Sequence, residues 1–149
     1  MKDDTTFNMI CEENRLNITF NSTMNNVDKA CGHALEFLHR MMNDFEHDFE
    51  HNFEINLLMR EGLMNAVKHG NAFALDKLVH FSIRFSPPDT ILIEIEDQGK
   101  GFQWHEVGHD LPEDYAESGR GIFIIRQYCS LVKYNAKGNH LTIHKQLTL

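Results

Sequence analysis

The most informative segment of this sequence is Glu61-Gly62-Leu63-Met64-Asn65-Ala66-Val67-Lys68-His69-Gly70. At about 100° per residue, a helix over this segment places Glu61, Asn65 and Lys68 within roughly 60° of one another, with the apolar residues opposite. One face can therefore pack against a core, while the other carries a carboxylate, an amide and an ammonium group. Taken alone, such a polar face is also typical of a solvated helix flank, so its meaning depends on the rest of the chain.

Two glycine-containing segments follow this helix, Asp97-Gln98-Gly99-Lys100-Gly101-Phe102 and Ser118-Gly119-Arg120-Gly121-Ile122. Together with the helix they resemble the N, G1 and G2 boxes of the GHKL ATPases, the superfamily of gyrase, histidine kinases and mismatch-repair ATPases. Within it, the pattern Glu-x-x-x-Asn-Ala-x-Lys-His-Gly and the ending Gly119-Arg120-Gly121-Ile122-Phe123-Ile124-Ile125-Arg126 resemble the bacterial anti-sigma factor serine kinases. The resemblance extends over about residues 15 to 147, nearly the whole chain.

The composition limits the classes of protein to which the chain can belong. Its 149 residues, of which 42% are hydrophobic, suffice for one domain with a real core, and we expect a single domain over 1–149. The formal net charge of -8 disfavours a nucleic acid partner, because binding to a phosphate backbone depends on clustered Lys and Arg side chains. A protein or nucleotide partner is favoured instead.

The cysteines and the hydropathy of the chain predict a cytoplasmic protein. Cys11, Cys31 and Cys129 are odd in number, widely spaced and without a C-x-x-C pair, which fits buried or inert thiols in a reducing compartment. We find no secretory leader, and no apolar run approaches the roughly 20 residues that span a bilayer. We therefore expect a soluble protein that does not contact a membrane.

Apolar periodicity predicts the secondary structure around the central helix. Helical spacing from Val27 to Phe45 predicts a core-facing helix before it. A period of two predicts strands at 16–20, 79–85 and 91–97, and a closing hairpin over 132–143. The chain thus combines helices with strands that are bounded by turns.

The last residue of the third predicted strand, Asp97, points toward the core. It lies on the same side as the isoleucines at 91–95, and an inward carboxylate costs free energy unless a donor pairs with it. By itself, the D-x-G-x-G segment could equally be a capped hairpin turn. The resemblance implies instead that Asp97 accepts a hydrogen bond from the exocyclic amine of adenine, and that Gly99 and Gly101 bend the backbone away where the nucleotide lies close.

The region that follows is predicted to be a loop and then a helix. Residues 103–117 are acidic and without clear periodicity, and the resemblance implies that they form the ATP lid. Gly119, Arg120 and Gly121 then open a helix, whose unpaired N–H groups and positive dipole end can seat phosphates. Alone, this motif could also be an ordinary glycine-started helix.

The resemblance implies the Bergerat ATP-binding fold. This fold belongs to the α+β class and is a two-layer α/β sandwich, in which helices cover one face of a mixed, mostly antiparallel sheet. ATP lies between the helices and the lid. The sequence has no Walker A motif and no H-R-D or D-F-G motif, so P-loop and eukaryotic-type kinase mechanisms are not favoured.

The resemblance also assigns roles to single residues, with ATP and Mg²⁺ as ligands. Glu61 corresponds to the general base, which accepts a proton from a serine or threonine hydroxyl or from water. Asn65 would offer Mg²⁺ a neutral side-chain oxygen, the kind of ligand that this hard ion prefers. The remaining cofactor-binding residues are expected to contact adenine, the phosphates or a partner, or to shape the loops that do: Lys68, Asp97, Gly99, Gly101, Gly119, Arg120 and Gly121.

Two features near the central helix stand outside the resemblance. Gly62 costs about 1 kcal/mol relative to alanine inside a helix, and we expect it to loosen the geometry of Glu61. His47 and His51 would share a helix face and could bind a metal, but a third ligand is missing. The segment 45–54 is more typical of a charged helix end and turn.

For function, the resemblance implies an ATP:Mg-dependent serine/threonine protein kinase that phosphorylates a STAS-type anti-sigma antagonist and otherwise binds and inhibits a sigma factor. The alternative is a nucleotide-gated module that binds a sigma factor or another regulator without significant kinase activity. The catalytic half of a histidine kinase is disfavoured, because the residues before the N box offer no second helix for a phosphoacceptor hairpin. Since the family often forms dimers, a homodimer is expected.

Overall fold

The computed structural model describes residues 6–101 and 124–147. The strands in this part of the chain are β1 Phe7–Cys11, β2 Arg15–Asn21, β3 Leu78–Ser86, β4 Thr90–Glu96, β5 Leu131–Tyr134 and β6 His140–Gln146. They form one sheet in the order β1-β2-β3-β4-β6-β5, and all five pairings among these described strands are antiparallel. The predicted strands and the closing hairpin are confirmed.

The helices lie on one face of this sheet. They are α1 Met24–Met41 and α2 Phe49–Met64, with a 3-10 turn over Phe45–His47 between them and a π-helix over Asn65–Gly70 directly after α2. Residues 124–128 are also helical. The first helix ends before the predicted Phe45, because Met42 is extended and Asp44 adopts a left-handed conformation (φ 60°) that turns the chain toward α2.

The core fills the space between the helices and the sheet. Every second residue of β2, β3 and β4 is buried, as the period of two predicts, and the intervening residues face the open side of the sheet. The helices contribute the apolar stripes that meet this face, among them Val27, Ala30, Ala34, Phe37, Ile55, Leu58, Met59 and Leu63. The α+β class and the two-layer architecture are confirmed, with an antiparallel sheet throughout the described strands.

A charged pair also lies in this core. Lys145 on β6 is 8% exposed, and its Nζ donates to Glu54 Oε2 on α2 at 2.7 Å and to the backbone oxygen of Tyr128 at 2.6 Å. The pair therefore connects α2, β6 and the end of the helical residues 124–128. A buried ammonium needs such partners, because burial without them is costly.

The two histidines between α1 and α2 do not form a metal site. His47 lies in the 3-10 turn and His51 in α2, so they do not share a helix face. His51 is bound to Asp48, which caps α2: the N–H of His51 donates to Oδ1 at 3.1 Å, and its Nδ1 lies 2.6 Å from Oδ2. Residues 6–101 and 124–147 contain no group of three or more His, Cys, Asp or Glu side chains that could hold a metal ion.

The exposure of the cysteines and the character of the helices can be compared with the predictions made from composition. All three cysteines are free thiols: Cys31 is buried, Cys129 is half-buried and Cys11 on the edge strand β1 is exposed. Across the described parts of the chain, none of the helices combines the length and the apolar character that crossing a bilayer requires.

Candidate functional site

A small cavity lies where the end of the central helix, the residues after β4 and the β5–β6 hairpin meet. Its volume is about 20 Å³, room for about one water molecule. It brings together residues of the first two motifs with residues of the hairpin, among them Asn65, His69, Gly70, Asp97, Gly101, Tyr134 and Asn139. The predicted meeting of the N box with the Asp97 segment is therefore present in the structure.

The N box does not end as an α-helix. The N–H of Asn71 donates to the backbone oxygen of Ala66 at 2.8 Å, five residues earlier, which is the hydrogen bond of a π-helix. Such a turn is wider than an α-helical turn and contains more residues. Short π-helical segments are frequent at functional sites, and this one forms a wall of the cavity.

The wider turn changes which side chains face the cavity. His69 and Gly70 line it, whereas Lys68 is half-buried and is absent from the described lining residues. The expectation that Lys68 aligns with Glu61 and Asn65 rested on an α-helical turn of 100° per residue, so it does not carry over to this geometry. A phosphate or partner contact of Lys68 stays a prediction.

Asn65 lies at the junction between α2 and the π-helix. Its N–H donates to the backbone oxygens of Glu61 and Gly62, so the half-buried Glu61 precedes it by one helical turn, as predicted. Its side-chain Nδ2 is buried and finds no hydrogen-bond partner within the described residues. Burial raises the pKa of the neighbouring Tyr134 hydroxyl, and the side chain of Asn65 offsets part of that rise. A buried amide without a partner is costly, and a polar ligand in the cavity would remove that cost.

Gly62 brings α2 close to the sheet. An ideal Cβ at this position would lie 2.6 Å from Cδ1 of Ile95 on β4 and 3.2 Å from Cδ2 of Leu141 on β6. Both of these side chains are buried. The glycine thus has a packing role beside Glu61, which the sequence did not indicate.

Asp97 occupies the inward position that the strand period predicts. It is 8% exposed, and burial raises the pKa of its carboxyl to about 6. The N–H of Gly99, which donates to Oδ1 at 2.8 Å, opposes that rise. Near neutral pH the group is therefore mostly an ionised acceptor in a buried site, which is what an amine-bearing ligand would require.

Three glycines leave room for this carboxylate and its loop. A Cβ on Gly70 would clash with the Asp97 carboxylate, and a Cβ on Gly99 would clash with the backbone oxygen of Gly70. Gly101 has a left-handed φ of 82°, and a Cβ there would clash with the backbone oxygen of Lys137. The segment after β4 is therefore held in close contact with the N box and with the hairpin.

Sequence reasoning missed the four residues of the hairpin that line the cavity, Tyr134, Gly138, Asn139 and Leu141. The backbone oxygen of Asn139 accepts a hydrogen bond from the N–H of Asp97 at 2.9 Å. The side-chain Nδ2 of Asn139 donates to the backbone oxygen of Asp97 at 3.0 Å. Tyr134 pairs with Leu141 and is the largest side chain in the lining. The hairpin was predicted, but only the pairing of β4 with β6 brings its turn next to Asp97.

The third motif, which begins at Ser118, lies outside the part of the chain that the structure describes. Gly119, Arg120 and Gly121, and the loop predicted over 103–117, lie outside the described residues. Ile125, in the helical segment that follows them, is fully buried. Their predicted roles as phosphate seat and lid stay predictions.

A larger cavity of about 570 Å³ lies at the other end of α2. Its lining combines apolar residues with Asp44, Asp48 and Asp89, and it contains none of the motif residues. Volume alone would select it as the ligand site, but Asp48, one of its three carboxylates, is already engaged by His51.

The residues of the small cavity fit a magnesium nucleotide. Asp97 offers a buried acceptor for an amine, and the unpartnered amide of Asn65 faces the same space. The glycines let backbone segments approach closely where a side chain would intrude. A purine is larger than this cavity, so the cavity accounts for only part of a nucleotide site.

Comparison with known proteins agrees with this geometry. No curated protein is significantly similar to the chain in sequence. The histidine kinase-like ATPase domain matches residues 20–145, a range that contains all three motifs and the lining residues of the cavity. GHKL domains of this kind bind ATP, typically with Mg²⁺. The chain is therefore a member of the histidine kinase-like ATPase domain family, within the GHKL superfamily.

Proposed function

We propose that this domain is an ATP:Mg-dependent serine/threonine protein kinase that acts as an anti-sigma factor. The observation that carries the proposal is the shared cavity of Asn65 and Asp97, with Glu61 one helical turn before Asn65. The residue pattern of the N box and that of the segment from Gly119 support assignment to the anti-sigma factor kinases. The substrate would be a STAS-type antagonist, and the sequestered partner a sigma factor or another regulator.

Asp97, Asn65 and Glu61 would have different roles in phosphoryl transfer. Asp97 accepts a hydrogen bond from the exocyclic amine of adenine, and Asn65 offers its side-chain oxygen to Mg²⁺. When bound, Mg²⁺ neutralises charge on the transferred phosphoryl group. Glu61 accepts the proton of the serine or threonine hydroxyl while the hydroxyl oxygen bonds to the γ-phosphorus and the bond to ADP breaks.

The remaining features of the proposal concern the setting of the reaction. The net charge of -8 favours a protein partner over a nucleic acid. We place the protein in the cytoplasm, where ATP and sigma factors occur, without contact to a membrane. A homodimer is proposed from the resemblance to the anti-sigma factor kinases.

The test is transfer of labelled γ-phosphate from ATP to a purified STAS-type antagonist. We expect label on serine or threonine, and a loss of about 100-fold or more in the rate for Glu61→Gln, since general bases contribute about 10²–10⁴-fold. ATP affinity should remain within about threefold of wild type, because that change keeps the shape of the side chain. Absence of transfer by the wild-type protein would refute the kinase, and acid-labile label on histidine would point to a histidine kinase.

A second function is favoured by the position of Glu61, which is not among the described lining residues of the cavity. In this alternative the domain is a nucleotide-gated binding regulator without significant kinase activity. ATP-dependent capture of a sigma factor would then survive Glu61→Gln and disappear with Asp97→Asn. Capture that is independent of ATP would exclude this alternative.

A further inference from the structure

Asn71, the residue after the N box, is fully buried and uses its whole side-chain amide. Its Nδ2 donates to Ser22 Oγ at 2.8 Å and to the backbone oxygen of Leu78 at 3.0 Å. Its Oδ1 accepts from the N–H of Gln98 at 2.8 Å. Because the oxygen faces an N–H and the nitrogen faces a carbonyl, the orientation of the amide is fixed by its partners.

These bonds form a closed ring beside Asp97. Asn71 Nδ2 donates to the backbone oxygen of Leu78, and the N–H of Leu78 donates to Gln98 Oε1 at 2.8 Å. The N–H of Gln98 donates to Asn71 Oδ1 and closes the ring. Ser22 extends the ring, since its Oγ donates to the oxygen of Lys77 at 2.8 Å. The ring thus joins the end of the N box, the start of β3 and the residue that follows Asp97.

Two adjacent residues, Gly70 and Asn71, therefore act on the same loop. Gly70 lies against the carboxylate of Asp97, and Asn71 holds the backbone of the next residue, Gln98. The N–H of Gly99 in turn donates to Asp97 Oδ1. A shift of residue 98 would displace the carboxylate and the N–H that orients it.

We propose that Asn71 is a positioning residue that fixes the Asp97 carboxylate and thereby sets the preference for adenine over guanine. The inference rests on the proposed nucleotide site. Adenine presents an amine donor where guanine presents a carbonyl acceptor, so a well-placed carboxylate attracts one base and repels the other. A carboxylate that is free to move discriminates less.

The test compares the affinities for ATP and GTP, each with Mg²⁺, by calorimetry. Asn71→Ala should weaken ATP binding about 5- to 10-fold and lower the ATP-to-GTP affinity ratio by a similar factor, the effect of about one lost hydrogen bond. The ratio is the decisive quantity, because partial unfolding lowers both apparent affinities equally. A purely structural role would leave it unchanged.

Asn52 provides the matched control at the other end of α2. Its Nδ2 also donates to two backbone oxygens, those of Phe45 at 2.6 Å and Asp48 at 2.8 Å. Asn52→Ala should lower stability to a similar degree and keep the wild-type ratio. A drop of the ratio in this control equal to that in Asn71→Ala would overturn the inference.

Gln98→Ala keeps the test decisive if Asn71→Ala does not fold. Gln98 is exposed, and the change removes only the bond to the N–H of Leu78. The ratio should fall about two- to fivefold in the same direction. A ratio unchanged in every foldable variant of this ring refutes the positioning role, whereas a wild-type protein without ATP affinity refutes the proposed function itself.

Discussion

Gly62 of α2 and Ile95 of β4 are in such close contact that an added Cβ would lie 2.6 Å from the Ile95 Cδ1. We predict that Gly62→Ala lowers the free energy of unfolding by about 1–2 kcal/mol, because overpacking at a buried contact outweighs the helix propensity of alanine. Gly32 of α1 is the control, since nothing lies within 4 Å of its added Cβ. Gly32→Ala should stabilise by about 0.5–1 kcal/mol in urea denaturation. A stabilised Gly62→Ala variant would contradict the packing role.

Asp97→Asn should make the protein more stable while it abolishes ATP binding. Burial raises the pKa of Asp97 in the folded protein from 3.8 to about 6, so the folded state binds the proton more tightly than the unfolded state. The contribution of Asp97 to stability is therefore most favourable below about pH 4, falls as pH rises to about 6, and then levels off, with a total loss of up to about 3 kcal/mol. Asp97→Asn has no carboxyl group at this position, so its free energy of unfolding does not fall in this way.

The measurement is urea denaturation of both proteins between pH 3 and pH 8. The difference in free energy of unfolding should be largest above pH 6 and should decline toward zero near pH 3.5. A difference that is independent of pH would mean that the stability change does not come from ionisation of Asp97.

The pair of buried Lys145 and half-buried Glu54 should behave differently from a surface pair. Lys145→Met leaves Glu54 without its partner and should cost about 2 kcal/mol, whereas the double variant with Glu54→Leu should recover most of that loss. Asp28→Asn, which breaks the exposed pair with Arg60, should cost less than about 1 kcal/mol. Urea unfolding of the wild type, the two single variants, the double variant and Asp28→Asn measures these changes, and strict additivity of Lys145→Met and Glu54→Leu would speak against coupling.

Alkylation should separate the three thiols. Burial raises the pKa of the Cys31 thiol to about 11 and also raises that of Cys129, so both hold little thiolate at pH 8. Cys11 is exposed on the edge strand. We expect iodoacetamide to label Cys11 first and Cys31 only in denaturant, as read by mass spectrometry of peptides. Early labelling of Cys31 in the native protein would show that the α1 face opens.

Local patterns were sufficient to predict the individual strands, whereas the fold was predicted from the resemblance of the motifs to the GHKL ATPases. Alternation located β2, β3 and β4 closely, and the same period placed Asp97 inward, because side chains of a strand must alternate between core and solvent. The end of α1 was misjudged, since apolar spacing continues beyond the residue where the backbone leaves the helix. Backbone conformations such as that of Asp44 leave little trace in hydropathy.

The site was only partly predictable, for a physical reason. Asn65 and Asp97 were found because their motifs are local, whereas Asn139 and Tyr134 enter the site through strand pairing, which is a long-range property. The side chain of Asn71 joins three segments, and these contacts also depend on long-range pairing that the sequence does not show. The π-helical turn was also missed, because a change in hydrogen-bond register alters no residue type.

The π-helix implies that the number of residues between Glu61 and Asn71 matters as much as their identity. A π turn contains about one residue more than an α-helical turn, so a one-residue deletion there would return the segment to an ordinary helix with little rotation of the chain beyond it, but the wide turn that forms a wall of the cavity would be lost. Point changes on the outer surface of this segment should be far better tolerated than any change of length, so the segment works as a spacer as well as a binding element.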